Sequence, residues 1–155
     1  MSHYNIQEVD FIYRTKKIIE QYDRFQIEKA EKYEVTLLLN CLVGLLILPQ
    51  QHWFDSLPIN LISQKEWGIN PNHIIMMKNG ETKNVKDIAR HLRNSISHYK
   101  FKAFENKATD ISSIKFEDFD KQENKTFEAI IPILGIRQFT TKLTDIFTDE
   151  IEKTK

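Results

Sequence analysis

The chain has 155 residues, 41% apolar and 28% charged, a balance that supports a buried core and excludes a disordered chain. Its 22 Lys and Arg offset 22 Asp and Glu, which excludes a histone-like basic protein and an acidic solvating chain but leaves room for a local basic patch. Four glycines and four prolines are too few for a collagen-like, linker-rich or turn-dense all-β chain, and the single Cys41 excludes an internal disulfide framework and a CxxC zinc site. A reducing, cytoplasmic setting is the expectation.

The opening residues Met1-Ser2-His3-Tyr4-Asn5 lead into charged sequence without the apolar core of a signal peptide. From Ile6 to about Ile27, the residues Ile6, Val9, Tyr13, Ile18 and Tyr22 recur at mostly helical spacing among charges, which predicts a long amphipathic helix. A second helix is predicted from Lys29 to Leu48. It begins amphipathic and becomes apolar all round, so it must be covered on every side, at the centre of a bundle or between two subunits. Its uncharged part, Val35 to Leu48, has 14 residues, is interrupted by Asn40 and Gly44, and stops at Pro49. Crossing a bilayer takes about 20 apolar residues, so a buried helix is expected and no membrane partner.

Residues 50–83 carry Pro58, Gly68, Pro71 and Asn79-Gly80 and predict a long irregular connector with short helical pieces, pinned to the core by Trp53, Phe54 and Trp67. A sharper helix follows. Asn84 is its N-cap, Asp87 the acidic partner three residues on, and Val85, Ile88, Ala89, Leu92, Ile96 and Tyr99 make one apolar stripe. Past Lys100 the period changes to two. Ile114 and Phe116, then Phe127, Ala129 and Ile131, alternate with other residues on either side of the polar stretch Asp120–Lys125, which predicts a β-hairpin. The last segment, about Ile133 to Lys153, places Ile136, Phe139, Leu143, Ile146, Phe147 and Ile151 on one helical side. The expected fold is mainly α: a bundle of four or so helices with a small β-hairpin inserted before the C-terminal helix, in a single domain over residues 1–155.

The chemistry-bearing side chains concentrate on the helix from Val85 to Tyr99. Asp87, His91, Asn94 and His98 form one polar row, and Arg90, Arg93 and Ser97 a second. An imidazole titrates near neutrality and can take or give a proton, while a guanidinium stays charged and grips phosphate oxygens with a rigid fork. Together they suit RNA phosphodiester cleavage without a metal: His98 activates the 2′-hydroxyl or protonates the leaving oxygen, and Arg93 holds the charge growing on phosphorus. Five residues on an ideal helix separate this pair by about 140°, so one copy of the helix does not turn both to one point. Between Lys83 and Lys107, seven cations stand against Asp87 and Glu105, a patch that attracts an anionic backbone. Arg90, Ser97, Lys100 and Lys102 are the expected RNA-binding residues. Tyr99 and Phe101 lie beside them as base-stacking candidates, although Tyr99 falls on the apolar stripe and is expected in the core. No metal site is expected: Asp87 and His91 share a face, but His98 lies about 10.5 Å of helix rise beyond His91. Cys41, in the most apolar segment, is expected to be inert packing.

The hexamer Arg93-Asn94-Ser95-Ile96-Ser97-His98 resembles the Rx4-6H signature of the HEPN superfamily, with a four-residue spacer and Asn94 at the favoured polar position. The run from Thr36 to Pro49, the Arg93–Phe101 segment, the hairpin and the closing helix resemble a plasmid- and phage-defence-associated HEPN subfamily over nearly the whole chain. The resemblance implies an up-and-down helical bundle, a homodimer whose two motifs meet at a shared cleft, and a metal- and cofactor-independent endoribonuclease acting as a toxin or phage-defence effector, in some cases beside an antitoxin protein. It implies catalytic roles for Arg93 and His98 and a supporting one for Asn94. The alternative it leaves is an inactive HEPN-like module that binds a nucleotide, RNA or a partner protein.

Overall fold

The apolar runs fold into helices α1 (Gln7–Arg24), α2 (Glu34–Leu46), α3 (Val85–Ser97) and α4 (Ile133–Lys153), and into strands β1 (Ile74–Met77), β2 (Phe101–Glu105), β3 (Ile111–Phe119) and β4 (Lys125–Pro132). The computed structural model describes residues 7–25, 33–47, 54–64, 66–105 and 111–153; the expected helix ends at Ile6, Ile27, Lys29 and Leu48, together with Pro49 and Trp53, fall outside them. The chain divides into two compact units, one of Met1–Ser56 with Thr140–Lys155 and one of Leu57–Phe139.

In the first unit, α1 is amphipathic, but its buried face is Ile12, Thr15 and Ile19, with Val9, Tyr13 and Tyr22 half-buried and Ile18 exposed. Adjacent isoleucines at 18 and 19 let the stripe be read one residue out of phase. Lys16 reaches Asp145 at 2.6 Å and the Tyr13 hydroxyl donates to Glu152 at 3.3 Å, tying α1 to the C-terminal part of α4. Helix α2 buries Leu38, Cys41, Leu42, Leu45 and Leu46, while Leu37, Leu39 and Val43 remain half-buried, so the described residues do not cover it on every side. Gly44 lies against the Phe11 ring, where any Cβ would collide. No helix among the described residues is long and apolar enough to cross a membrane.

The second unit corrects the expected mainly α bundle with a small hairpin. The β3–β4 hairpin is present, but it is the middle of a four-stranded antiparallel sheet in the order β1-β4-β3-β2, and the fold is mixed α and β. The edge strands escape a search for alternation because they are four and five residues long and β1 reads Ile-Ile-Met-Met with no polar partner rhythm. Within the sheet, Phe116 lies opposite Ala129 and Ile114 opposite Ile131. These residues and Phe127 are buried on the side where α3 packs.

Outward on the hairpin, Glu117 stands directly opposite Glu128, a like-charge pairing that would repel. Lys125 bonds to both and Lys115 lies 3.1 and 3.4 Å from them; these lysines hold both carboxyls below the usual range despite some desolvation. The connector carries the expected short helical pieces at Ile62–Gln64 and Pro71–His73, and it also supplies β1. Its buried Trp67 tilts against Phe139 with centroids 5.8 Å apart. Next to it, Gly68, at φ +79°, packs so closely on the Gly135 backbone that neither position has room for a Cβ. Backbone bonds from Ile62 N–H to the Lys83 carbonyl and from Val85 N–H to the Asn60 carbonyl set the start of α3.

Candidate functional site

Helix α3 starts where its cap dictates. The Asn84 side-chain oxygen accepts the Asp87 N–H at 2.7 Å, satisfying a donor that a helix start leaves open, and its amide donates to the Asp87 carboxylate at 2.6 Å. Val85, Ile88, Ala89, Leu92 and Ile96 are buried as the stripe requires, with His91 and Ser95 beside them.

Tyr99 is the correction: it is 83% exposed, and the helix end explains why. Ser97 is the last helical residue, His98 is the cap, and Tyr99 adopts φ +58°. The Tyr99 N–H bonds back to the Ile96 carbonyl at 3.1 Å and the Lys100 N–H to the Ser95 carbonyl at 2.7 Å. This is the paired closure in which a left-handed residue, usually glycine, reverses the chain. The reversal takes Tyr99 off the helical stripe and points the chain into β2.

The motif residues occupy different surroundings. His98 is exposed and lines a cleft of about 540 Å³ with Lys100, Asp118, Phe119, Asp120 and Lys121. Its N–H closes on the Asn94 carbonyl at 3.0 Å. The half-buried Asn94 turns its amide to Asp118, donating to Oδ2 at 2.9 Å. Arg93 is half-buried on α3 and its carbonyl accepts the Ser97 hydroxyl at 2.7 Å; it is not among the described residues that line the cleft. Arg90 places Nη2 on Glu81 at 2.7 Å and Asp87 at 3.2 Å. The ammonium of Lys100 lies 5.4 Å from the Phe119 ring centre, and that of Lys102 lies 5.9 Å from Phe104 on β2.

Behind the cleft runs a chain of charge that local spacing does not announce. His91, 3% exposed, contacts Asp118 through Nδ1 and Glu81 through Nε2, each at 2.7 Å, and stacks on Phe127 at 4.7 Å. Asp87, by contrast, pairs with Arg90 and Asn84. Burial pushes the Asp118 carboxyl upward, but hydrogen bonds from His91, Asn94 and the Phe119 N–H outweigh it and hold the group below the usual carboxylate range. An ionised carboxylate only accepts, so Nδ1 is the donor in the Asp118 contact. Asp118 thus joins a buried network to the cleft that His98 lines. A sequence signal for it exists: Asp118 continues the inward row Ile114, Phe116, and a carboxylate at a core position needs a built partner. Burial also pushes the Cys41 thiol up to about 11, in keeping with its packing role.

The family model HEPN pEK499 p136 matches residues 1–154 of the chain. No curated protein and no solved structure matches it.

Proposed function

The chain belongs to the HEPN pEK499 p136 family, and from that premise we propose that it is a metal-independent endoribonuclease, a toxin or phage-defence effector working in the cytoplasm, with Arg93 and His98 as its catalytic pair and Asn94 in support. The observation that carries this reading is the exposed imidazole of His98, set at the capped end of α3 in a cleft beside Lys100. An imidazole in that position can take the proton of a 2′-hydroxyl. The oxygen O2′ then attacks phosphorus and the P–O5′ bond breaks, leaving a 2′,3′-cyclic phosphate and a 5′-hydroxyl once the departing oxygen is protonated. A guanidinium neutralises charge on the non-bridging oxygens as it grows. Because about 140° separates Arg93 from His98 around the helix, the reading includes a homodimer in which a second copy brings its own pair to the same phosphate. Asn94 is a positioning residue here: its carbonyl receives the His98 N–H and its amide is anchored on Asp118. Arg90, Ser97, Lys100 and Lys102 are assigned to the RNA backbone, and an antitoxin protein that blocks the cleft fits the same scheme.

The test is the chemistry of the ends. RNA cut in EDTA is expected to carry 2′,3′-cyclic phosphates, and DNA of the same sequence is expected to stay intact, since it lacks the internal nucleophile. Cut DNA, or 3′-hydroxyl ends on RNA, would overturn the mechanism. The absence of Arg93 from the described cleft residues favours a second reading, an inactive module that binds nucleotide, RNA or a partner protein. RNA binding without any cleavage decides for that one.

A further inference from the structure

Tyr99 is the most exposed large apolar side chain among the described residues, and it sits where a side chain is least welcome. At φ +58° the left-handed region brings Cβ against the following carbonyl, which is why glycine is the ordinary occupant of this position in a helix-ending closure. Core packing does not account for a tyrosine there. Among the described residues its ring meets that of Phe101, with centroids 5.1 Å apart at a 44° tilt, and Phe101 in turn leans on the buried Phe116. The result is an exposed aromatic face backed by a second ring that reaches the core. On either side of it in the chain stand His98 and Lys100, both lining the cleft, and Lys102 follows on the same strand as Phe101.

Exposed rings interleaved with cations are how proteins hold single-stranded nucleic acid, because every base has a face to stack while the phosphates seek positive charge. We propose that Tyr99, supported by Phe101, is a stacking platform for an unpaired base of single-stranded RNA, which sets the strand beside His98. The proposal rests on the nucleic-acid reading of the cleft and adds to it the strandedness of the substrate. A base inside a duplex has both faces covered by its neighbours, so the platform accepts it only after unstacking.

The test separates binding from cleavage by using a labelled, single-stranded 2′-O-methyl RNA, which lacks the attacking hydroxyl. Tyr99→Gly is expected to weaken its binding by roughly 5- to 150-fold, the range for loss of one base stack. Tyr99→Phe is expected to stay within about two-fold of wild type, since the ring is kept. Removing a Cβ from a left-handed position is favourable, so the melting temperature of Tyr99→Gly is expected to hold or rise. The proposal is overturned if Tyr99→Gly binds like wild type, if the duplex form binds as tightly as the single strand, if wild type binds neither, or if Tyr99→Gly lowers the melting temperature by more than about 4 °C, the mark of a packing residue. Tyr99-dependent binding with no cutting of unmodified RNA would keep the platform and discard the nuclease. Cutting by an enzyme whose binding ignores Tyr99 would do the reverse.

Discussion

His91 and Asp118, 27 residues apart in the chain, meet at 2.7 Å inside the second unit. Both are buried, and the contact ties the middle of α3 to the end of β3, where the cleft begins. Removing one member strands the other. His91→Leu leaves the Asp118 carboxylate buried with Asn94 and one backbone N–H as its remaining donors, and a broken buried pair costs about 3–5 kcal/mol. The expected outcome in urea titration is a loss of that size for His91→Leu. The double variant His91→Leu/Asp118→Leu is expected to lose less than the sum of the two single variants. Strictly additive losses would mean that the pair is not coupled.

Acid should expose the same contact. The Asp118 carboxyl is held below its ordinary value, so its stabilisation is complete above about pH 4 and disappears as pH falls through the lowered folded value. Between pH 7 and 5 this group contributes no slope. Urea midpoints measured from pH 6 to 3 are expected to fall steeply below about pH 4 in wild type and less steeply in Asp118→Asn, which starts from lower stability. Parallel curves would remove Asp118 as a source of the acid limb, leaving it to groups such as Glu117, Asp120 and Glu128, which shift in the same direction.

Capping of α3 can be weighed separately from the chemistry. Asn84→Ala forfeits the bond to the Asp87 N–H and is expected to cost about 1 kcal/mol, within the range for N-cap removal. Because Asn84 is far along the helix from His98, RNA cleavage at a temperature well below the transition is expected to be unchanged. A large loss of activity at full folding would show that the helix start also shapes the cleft.

Cys41 offers a check on the first unit. With its thiol pushed up to about 11 by burial, it is expected to resist a thiol reagent at pH 8 in the folded protein and to react at once in denaturant. Rapid labelling of the native chain would place that face of α2 in contact with solvent.

Much of the architecture is legible in the residues, and the omissions have physical causes. The hairpin follows from half-buried strands long enough to show alternation, and α3 from a cap and a stripe. Strands β1 and β2 add only four and five residues at the sheet edges, too short for a period to stand out, so the sheet reads as a hairpin and the fold as a bundle. At the site, the Arg93–His98 spacing and the position of His98 at a helix end are visible in the sequence. Tyr99 misleads because apolar spacing assumes that the helix continues, whereas the chain reverses at that residue. The His91–Asp118 contact is set by strand pairing and helix packing, which no local window contains, although Asp118 in line with Ile114 and Phe116 marks a carboxylate turned inward.

The central claim, that His98 moves the proton in RNA cleavage, is tested most directly by incubating wild type and His98→Ala with cellular RNA in the presence of EDTA. The expected result is cleavage by wild type that survives chelation and falls by about 10²- to 10⁴-fold in His98→Ala, the usual contribution of a general acid–base. Equal cleavage by both proteins, or wild-type cleavage abolished by EDTA, would contradict it.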